Sequence, residues 1–323
     1  MKMKTLGSTG LRVSEIALGT MHFATGKVPE EMARMEMDAF IDRGGNFIDT
    51  ARVYGASWSG SANLPLSEMA VGRWLWERKN RDKVVISTKG AHPILTDKSR
   101  MRLHPDEIRS DLDKSLEHLR TTYIDIYFLH RDDASVPVAD ILETLDDERR
   151  KGKIRFYGCS NWTLGRMKEA WDYAKGHALE GFSVNQAWVC LPDINKDKIS
   201  DKTLVPMDSK MYQWHSVTKM PVMAYSSIAR GYLMRLRSGK ALSAHHTASY
   251  ENNSSRAIAG KLEETGTDPL VASLQSLTHV RQFTIVPVVS FTDMMQLEAG
   301  LDALEEPYPE GLDEVWAMKN FLL

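Results

Sequence analysis

Only two cysteines, Cys159 and Cys190, occur in 323 residues. That is too few for a disulfide framework, and no CxxC or Cys/His pair falls at metal-ligand spacing. A reducing, cytoplasmic setting and a metal-free site are therefore expected. No stretch reaches the ~18 uninterrupted apolar residues of a membrane helix, and the opening run MKMKTLGSTGLRVSEIALG is too polar for a signal peptide. An excess of one charge is missing as well: 41 basic side chains face 43 acidic ones, a formal net charge of −2. A nucleic-acid or membrane-surface binder would carry a basic surplus, so neither partner is expected. No Pro/Ser-rich linker or low-complexity stretch divides the chain, which reads as a single domain over 1–323. Finally, no GxGxxG follows the first strand-like segment, which removes the fingerprint of the doubly wound dinucleotide-binding sheet.

What is present is an alternation. Apolar residues make up 42% and charged residues 26% of the chain, enough for a large core under an ordinary soluble surface. Short β-branched or aromatic runs fall at 14–19, 46–49, 84–89, 124–130, 154–160, 182–187, 221–225 and 283–287. Between them, amphipathic segments predict helices near 30–43, 67–79, 105–119, 137–151, 163–176, 206–218, 251–265 and 268–280. Pro29, Pro105 and Pro269 suit first turns, and Ile108, Leu112, Leu116 and Leu119 make one buried stripe. Eight βα units with nearly continuous apolar strands imply parallel strands buried on both faces. A closed (β/α)8 TIM barrel is the simplest arrangement, with a doubly wound sheet as the alternative. Residues 234–255, polar and rich in small residues, read as an active-site or mobile loop. Residues 293–323 read as C-terminal helices appended to the barrel.

Barrel enzymes carry their reactive groups at the C-terminal ends of the strands. Those ends hold Asp49, Tyr54 five residues further on, Lys89 and His130. Each alone has a bland reading: a turn-forming Asp, a packing Tyr, a solvated Lys or His. Together they divide one task. Reducing a carbonyl by hydride requires a proton for the developing alkoxide, and Tyr54 can give it. An adjacent Lys89 ammonium would lower the tyrosine pKa, Asp49 would keep Lys89 charged, and a neutral His130 would polarise the carbonyl oxygen.

The motifs around these residues resemble the aldo-keto reductases, and in detail a bacterial branch of them. MKTLGSTGLRVSEIALGTM resembles the family's entry strand, GGNFIDTARVYG the segment of its Asp and Tyr, VVISTKG that of its Lys and IDIYFLHRDD that of its His. GKIRFYGCSNW, VNQAW and VMAYSSIARGYL are similar to later motifs, so the resemblance runs over roughly 3–304. It implies reversible NADP- or NAD-dependent reduction of an aldehyde or ketone. It also implies cofactor contacts at Gly19, Thr20, Met21, Asp49, Ser160, Asn161, Gln186 and Tyr225, then at Ser226, Ile228, Arg230 and Gly231, and at Ser290, Thr292 and Gln296. A cap for the helix starting at Thr163 is the lesser alternative for Ser160 and Asn161, and a packing role in the core is the alternative for Gln186 and Tyr225.

The match weakens at the adenine end. Gln296 stands where the family has an Arg, and Ala299 and Gly300 replace its Glu-Asn pair. Recognition of the 2′-phosphate of NADP should therefore be weakened and the preference moved toward NAD, with Asp293 opposing a dianion. Trp58, Trp188 and Trp214 fall on or near rim loops, beside His92, Arg100, Arg102, Arg131, Asp132 and Asp133. A small carbonyl substrate of sugar or polyol type follows, with Trp58, His92 and Trp188 as its contacts; tryptophans that merely fill gaps are the bland alternative. Two rivals share the fold: a cofactor-sensing regulatory subunit, and an aldolase or isomerase using Lys89 as a Schiff base. A monomer or small homo-oligomer fits either case.

Overall fold

A computed structural model describes residues 1–59, 64–97 and 100–319. Its centre is a closed barrel of eight parallel strands: β3 (Ala17–Gly19), β4 (Phe47–Asp49), β5 (Val85–Gly90), β6 (Ile124–Leu129), β7 (Ile154–Ser160), β8 (Val184–Trp188), β9 (Val222–Tyr225) and β10 (Ile285–Val289), which pairs back with β3. Before them, β1 (Met3–Thr5) and β2 (Arg12–Ser14) form an antiparallel hairpin outside the barrel. This hairpin was not expected, because two three-residue strands leave no period to read. Its Leu6, Leu11 and Val13 join the interior cluster of Ala17, Phe47, Val85, Ile126, Phe128, Val184, Met223 and Val286. The apolar residues at the start of each strand thus close one end of the barrel.

Period two along the strands then decides what the other end displays. Side chains two apart share a face, so the interior residues Ala17, Phe47, Val85, Phe128, Val184 and Met223 are continued by Gly19, Asp49, Ser87 with Lys89, His130, Gln186 and Tyr225. The alternate residues, among them Leu18, Ile48, Ile86, Tyr127, Leu129, Cys159 and Ala224, face outward into the layer beneath the helices. Gly158 is required where β7 meets its neighbours, since a Cβ there would lie 2.3 Å from the Val184 carbonyl oxygen and 2.6 Å from the Phe128 ring.

The helices are α1 (Glu30–Asp42), α2 (Leu66–Arg78), α3 (Pro105–His118), α4 (Val138–Arg150), α5 (Leu164–Gly176), α6 (Ser209–Thr218), α7 (Tyr232–Arg237), α8 (Ala244–Tyr250), α9 (Asn253–Glu264), α10 (Pro269–Thr278), α11 (Met294–Glu305) and α12 (Leu312–Ala317). Several start on a side-chain cap: Thr163, Asp208, Asn252, Asp268 and Asp293 each accept a bond from a backbone N–H of the first turn. On α3, Ile108 and Leu112 are buried with Leu119 just beyond, and Leu116 is half-buried beside them.

The segment 234–255, read above as a loop, carries most of α7, all of α8 and the start of α9 instead. Ser243 and His246 form a capping box for α8, and Tyr232, Leu233 and Tyr250 bury themselves in a satellite core with Trp188, Leu312 and Val315. Helices of six and seven residues are too short to show a 3.6-residue period in polar sequence, which is why composition suggested a loop. After β10, α11 packs between α10 and α1 and closes the helical ring. Residues 320–323, the end of the expected C-terminal helices, lie outside the described residues.

Candidate active site

Asp49 ends β4 with its carboxylate inside the barrel. Its Oδ2 accepts from Lys89 Nζ at 2.6 Å, and its Oδ1 accepts from Ser87 Oγ at 2.7 Å and Gln186 Nε2 at 3.0 Å. Lys89 Nζ also donates to the Thr50 carbonyl at 2.8 Å and lies 4.9 Å from the centre of the Tyr54 ring. The Tyr54 ring meets His130 edge-on at 5.9 Å, and His92 meets His130 at 4.9 Å. The four expected residues are therefore contiguous. Ser87 was not singled out from the sequence, although its spacing of two from Lys89 places it on the same interior face.

The electrostatics differ from expectation at one point. Burial alone would lower the Lys89 pKa, but Asp49 and Tyr54 outweigh it and hold the ammonium above its usual value. Tyr54, however, is pushed up: burial dominates, and Lys89 only partly offsets it. Lys89 thus acts on the tyrosine in the expected direction, but burial outweighs it and the phenol stays protonated at neutral pH. His130 is held well below its usual value, first by burial and then by the neighbouring charges of Arg131, His92 and Lys89. Its Nδ1 makes no hydrogen bond among the described residues. Arg131, also buried, donates to the His130 carbonyl at 2.8 Å and to Thr203 Oγ1 at 2.9 Å.

Ser160 and Asn161 do not cap α5; Thr163 does. Asn161 adopts a left-handed backbone (φ 62°) that turns its amide toward the rim. There it donates to the His130 carbonyl at 3.2 Å and Ser160 Oγ at 3.1 Å, and accepts from Val205 N at 3.2 Å and Tyr225 Oη at 2.7 Å. Thr20 is fully buried, and its Oγ1 is tied to the scaffold through the Asp49 carbonyl and Ser67 Oγ. Met21 is exposed beside it, and Gly19 faces Ser290, whose Oγ would lie 2.6 Å from a Cβ at that glycine. After β9, Ser226, Ala229, Arg230 and Gly231 all have positive φ, with Ile228 half-buried and Arg230 exposed. Ser227, not singled out from the sequence, anchors this turn by donating to the Val288 carbonyl at 2.8 Å.

At the start of α11, Asp293 Oδ1 accepts from Gln296 N at 2.8 Å. Gln296 Nε2 turns back to Asp293 Oδ2 at 2.6 Å and Thr292 Oγ1 at 2.8 Å. Gly300 is buried, and a Cβ there would meet the Phe291 ring at 2.6 Å, while Ala299 is exposed. The loss of the pair expected there is thus in part a packing choice. Behind this cap, Glu36 of α1 is fully buried with neither carboxylate oxygen hydrogen-bonded among the described residues, and burial together with Asp293 raises its pKa to about 7.

Some expected rim residues face elsewhere. Arg102 forms a bidentate pair with Asp111 at 2.8 and 2.9 Å, and Asp132 pairs with Arg166 at 3.2 Å. Asp133 caps its own turn through Ser135. Trp214 stacks edge-on to Trp171 between α6 and α5, so it fills a gap and does not line a pocket. Trp188 is nearly buried, 6.0 Å from the Tyr225 ring. The side chain of Trp58 lies outside the described residues.

An eight-stranded parallel barrel whose rim joins Asp, Tyr, Lys and His in this way invites comparison with known sequences. Residues 15–315 match the model of the aldo/keto reductase family. The chain belongs to that family. It is 30% identical over 317 residues to the norsolorinic acid reductase stcV of Emericella nidulans, a stretch covering 91% of this chain and 75% of that one. It is 34% identical over 193 residues to the oxidoreductase YrpG of Bacillus subtilis, covering 58% of this chain and 57% of that one. Over 168 residues it is 34% identical to a 6-dehydroglucose reductase of Novosphingobium aromaticivorans, covering 51% and 53%. The aligned stretch thus spans about half the length of several curated relatives. Among the described residues no helix is long and apolar enough to cross a membrane, and no cluster of three potential metal ligands occurs.

Proposed function

We propose that this aldo/keto reductase reduces an aldehyde or ketone with NADH or NADPH, Tyr54 supplying the proton. The observation that carries this reading is one rim on which the Lys89–Asp49 ion pair, the Tyr54 ring and His130 lie side by side. The nicotinamide, when bound, supplies the hydride to the carbonyl carbon. The chain's own groups do the rest. His130, kept neutral, can donate a hydrogen bond to the carbonyl oxygen and polarise it. Tyr54 passes its Oη proton to that oxygen as charge develops, leaving a phenolate beside the Lys89 ammonium, and solvent reprotonates it. Asp49, fixed by Ser87 and Gln186, keeps Lys89 charged and out of Schiff-base chemistry.

Ser160, Gln186 and Tyr225, at the ends of β7, β8 and β9, would hold the nicotinamide end. The tight turn from Ser226 to Gly231, with positive φ at Ser226, Ala229, Arg230 and Gly231, lies where the pyrophosphate would run, and the exposed Arg230 can supply it a positive charge. At the far end, the Asp293 carboxylate and the absence of a cation on Gln296 favour NAD over NADP. A hydroxylated, sugar-like carbonyl compound suits a rim bearing His92 and Arg131, and one relative is named a 6-dehydroglucose reductase. The test is oxidation of NADH and NADPH with a panel of aldehydes, ketones and oxidised sugars. Turnover with at least one carbonyl is expected, and none with either cofactor would overturn the reading.

A further inference from the structure

Lys319, just beyond α12, is buried, and its ammonium sits in a cage. Nζ lies 2.8, 3.0 and 3.2 Å from the carbonyl oxygens of Cys190, Leu191 and Pro192, and 3.2 Å from Asp193 Oδ1. Three consecutive carbonyls aimed at one point form an arrangement that backbone adopts around a positive centre, as where carbonyl oxygens replace the hydration shell of potassium. Without that centre their dipoles repel one another beside a nearly buried carboxylate. The turn is also clamped from its other side: Asp193 N donates to Ser255 Oγ at 3.0 Å, Ser254 Oγ donates to Asp193 Oδ2 at 2.6 Å, and Asn252 Nδ2 donates to the Asp193 carbonyl at 3.1 Å. The curled geometry is thus held by α9 as well as by the lysine.

We propose that the Cys190–Asp193 turn is a monovalent-cation site that Lys319 fills from within the chain. The C-terminal segment thereby supplies a tethered cation in place of a free potassium or ammonium ion. The site lies two residues past Trp188, whose ring packs 6.0 Å from Tyr225 and 6.1 Å from Tyr250. Filling it fixes the wall of the barrel rim on that side. Lys319 is a positioning residue in this scheme, and the proposal does not depend on which reaction the rim performs.

The test is thermal unfolding of wild type, Lys319→Met and Lys319→Gln in potassium, ammonium, sodium and choline chloride at equal ionic strength. The wild type should be indifferent to the cation. Lys319→Met should melt about 5–10 °C lower in choline chloride, and potassium or ammonium should restore part of that loss in a saturable way. Lys319→Gln, which keeps donors but no charge, should behave like Lys319→Met. A Lys319→Met loss identical in all four salts would overturn the proposal, as would a Lys319→Gln protein as stable as wild type. If Lys319→Met does not accumulate folded, the yield on refolding from urea into potassium against choline chloride reads the same difference. Equal yields would count against the site.

Discussion

Lys89 Nζ and Asp49 Oδ2 lie 2.6 Å apart on adjacent strands, both shut off from solvent. Removing one member of a buried pair strands the other. Lys89→Met should therefore cost about 3–5 kcal/mol of stability and reduce turnover by at least about 100-fold. The double variant Lys89→Met/Asp49→Asn removes both charges and should regain much of the stability but none of the turnover. Urea denaturation and steady-state assays on the three proteins check this. A double variant that recovers activity would show that the pair serves folding alone.

The barrel was legible because its strands are buried on both faces and several of its helices begin on side-chain caps or prolines, so apolar runs and polar starts alternate. The interior rim was legible for a related reason. Asp49, His130, Gln186 and Tyr225 each stand two residues beyond an apolar interior residue, and a polar group continuing a core-facing row demands an explanation. What escaped was set by tertiary context. Whether Asn161 caps a helix or reaches Tyr225 depends on a left-handed φ, and whether Arg102 faces the rim or Asp111 depends on the fold of the loop between them. The direction of the Tyr54 shift depends on burial outweighing the nearby ammonium, a contest that spacing cannot decide.

That contest has a measurable consequence. With its pKa above the ordinary tyrosine value, Tyr54 stays protonated throughout the neutral and mildly alkaline range. The reduction rate should therefore show no loss from Tyr54 ionisation below about pH 10. Tyr54→Phe should lower kcat by about 100- to 10,000-fold, while leaving the dissociation constant for reduced nicotinamide cofactor within about threefold. Fluorescence titration beside kinetics separates the two quantities, and unchanged kcat would move the acid elsewhere.

The adenine end gives a prediction that needs no substrate. Asp293 holds Gln296 by its backbone and side chain together, so in the proposed binding mode a carboxylate and an amide, not a cation, face the cofactor's 2′ position. NADH should bind at least as tightly as NADPH. Asp293→Ser with Gln296→Arg keeps a helix cap and adds a guanidinium, and should tighten NADPH about 10- to 100-fold. NADH should change little. Tighter binding of NADPH by the unaltered protein would refute the assignment.

Asp293 also bears on stability through Glu36. The folded pKa of Glu36, about 7, lies above the ordinary glutamate value of 4.5. Between these values the folded chain holds a proton that the unfolded chain has lost, so stability falls as pH rises through the window. The full penalty, reached above about pH 7, is on the order of 3 kcal/mol. Glu36→Gln should thus match wild type near pH 4.5 and exceed it by about 1–3 kcal/mol at pH 8. His215 slopes the other way. Buried, with its pKa lowered to about 4, it withdraws stability as pH falls from 6.5 toward 4. Glu36→Gln should therefore remove the Glu36 contribution to the alkaline slope and leave the acid slope of His215 in place. Asp293→Asn should move the alkaline limb to lower amplitude, because it takes away the charge that adds to burial at Glu36. Denaturation across pH 4–9 resolves the limbs, and a Glu36→Gln profile parallel to wild type would place the carboxyl in a solvated setting instead.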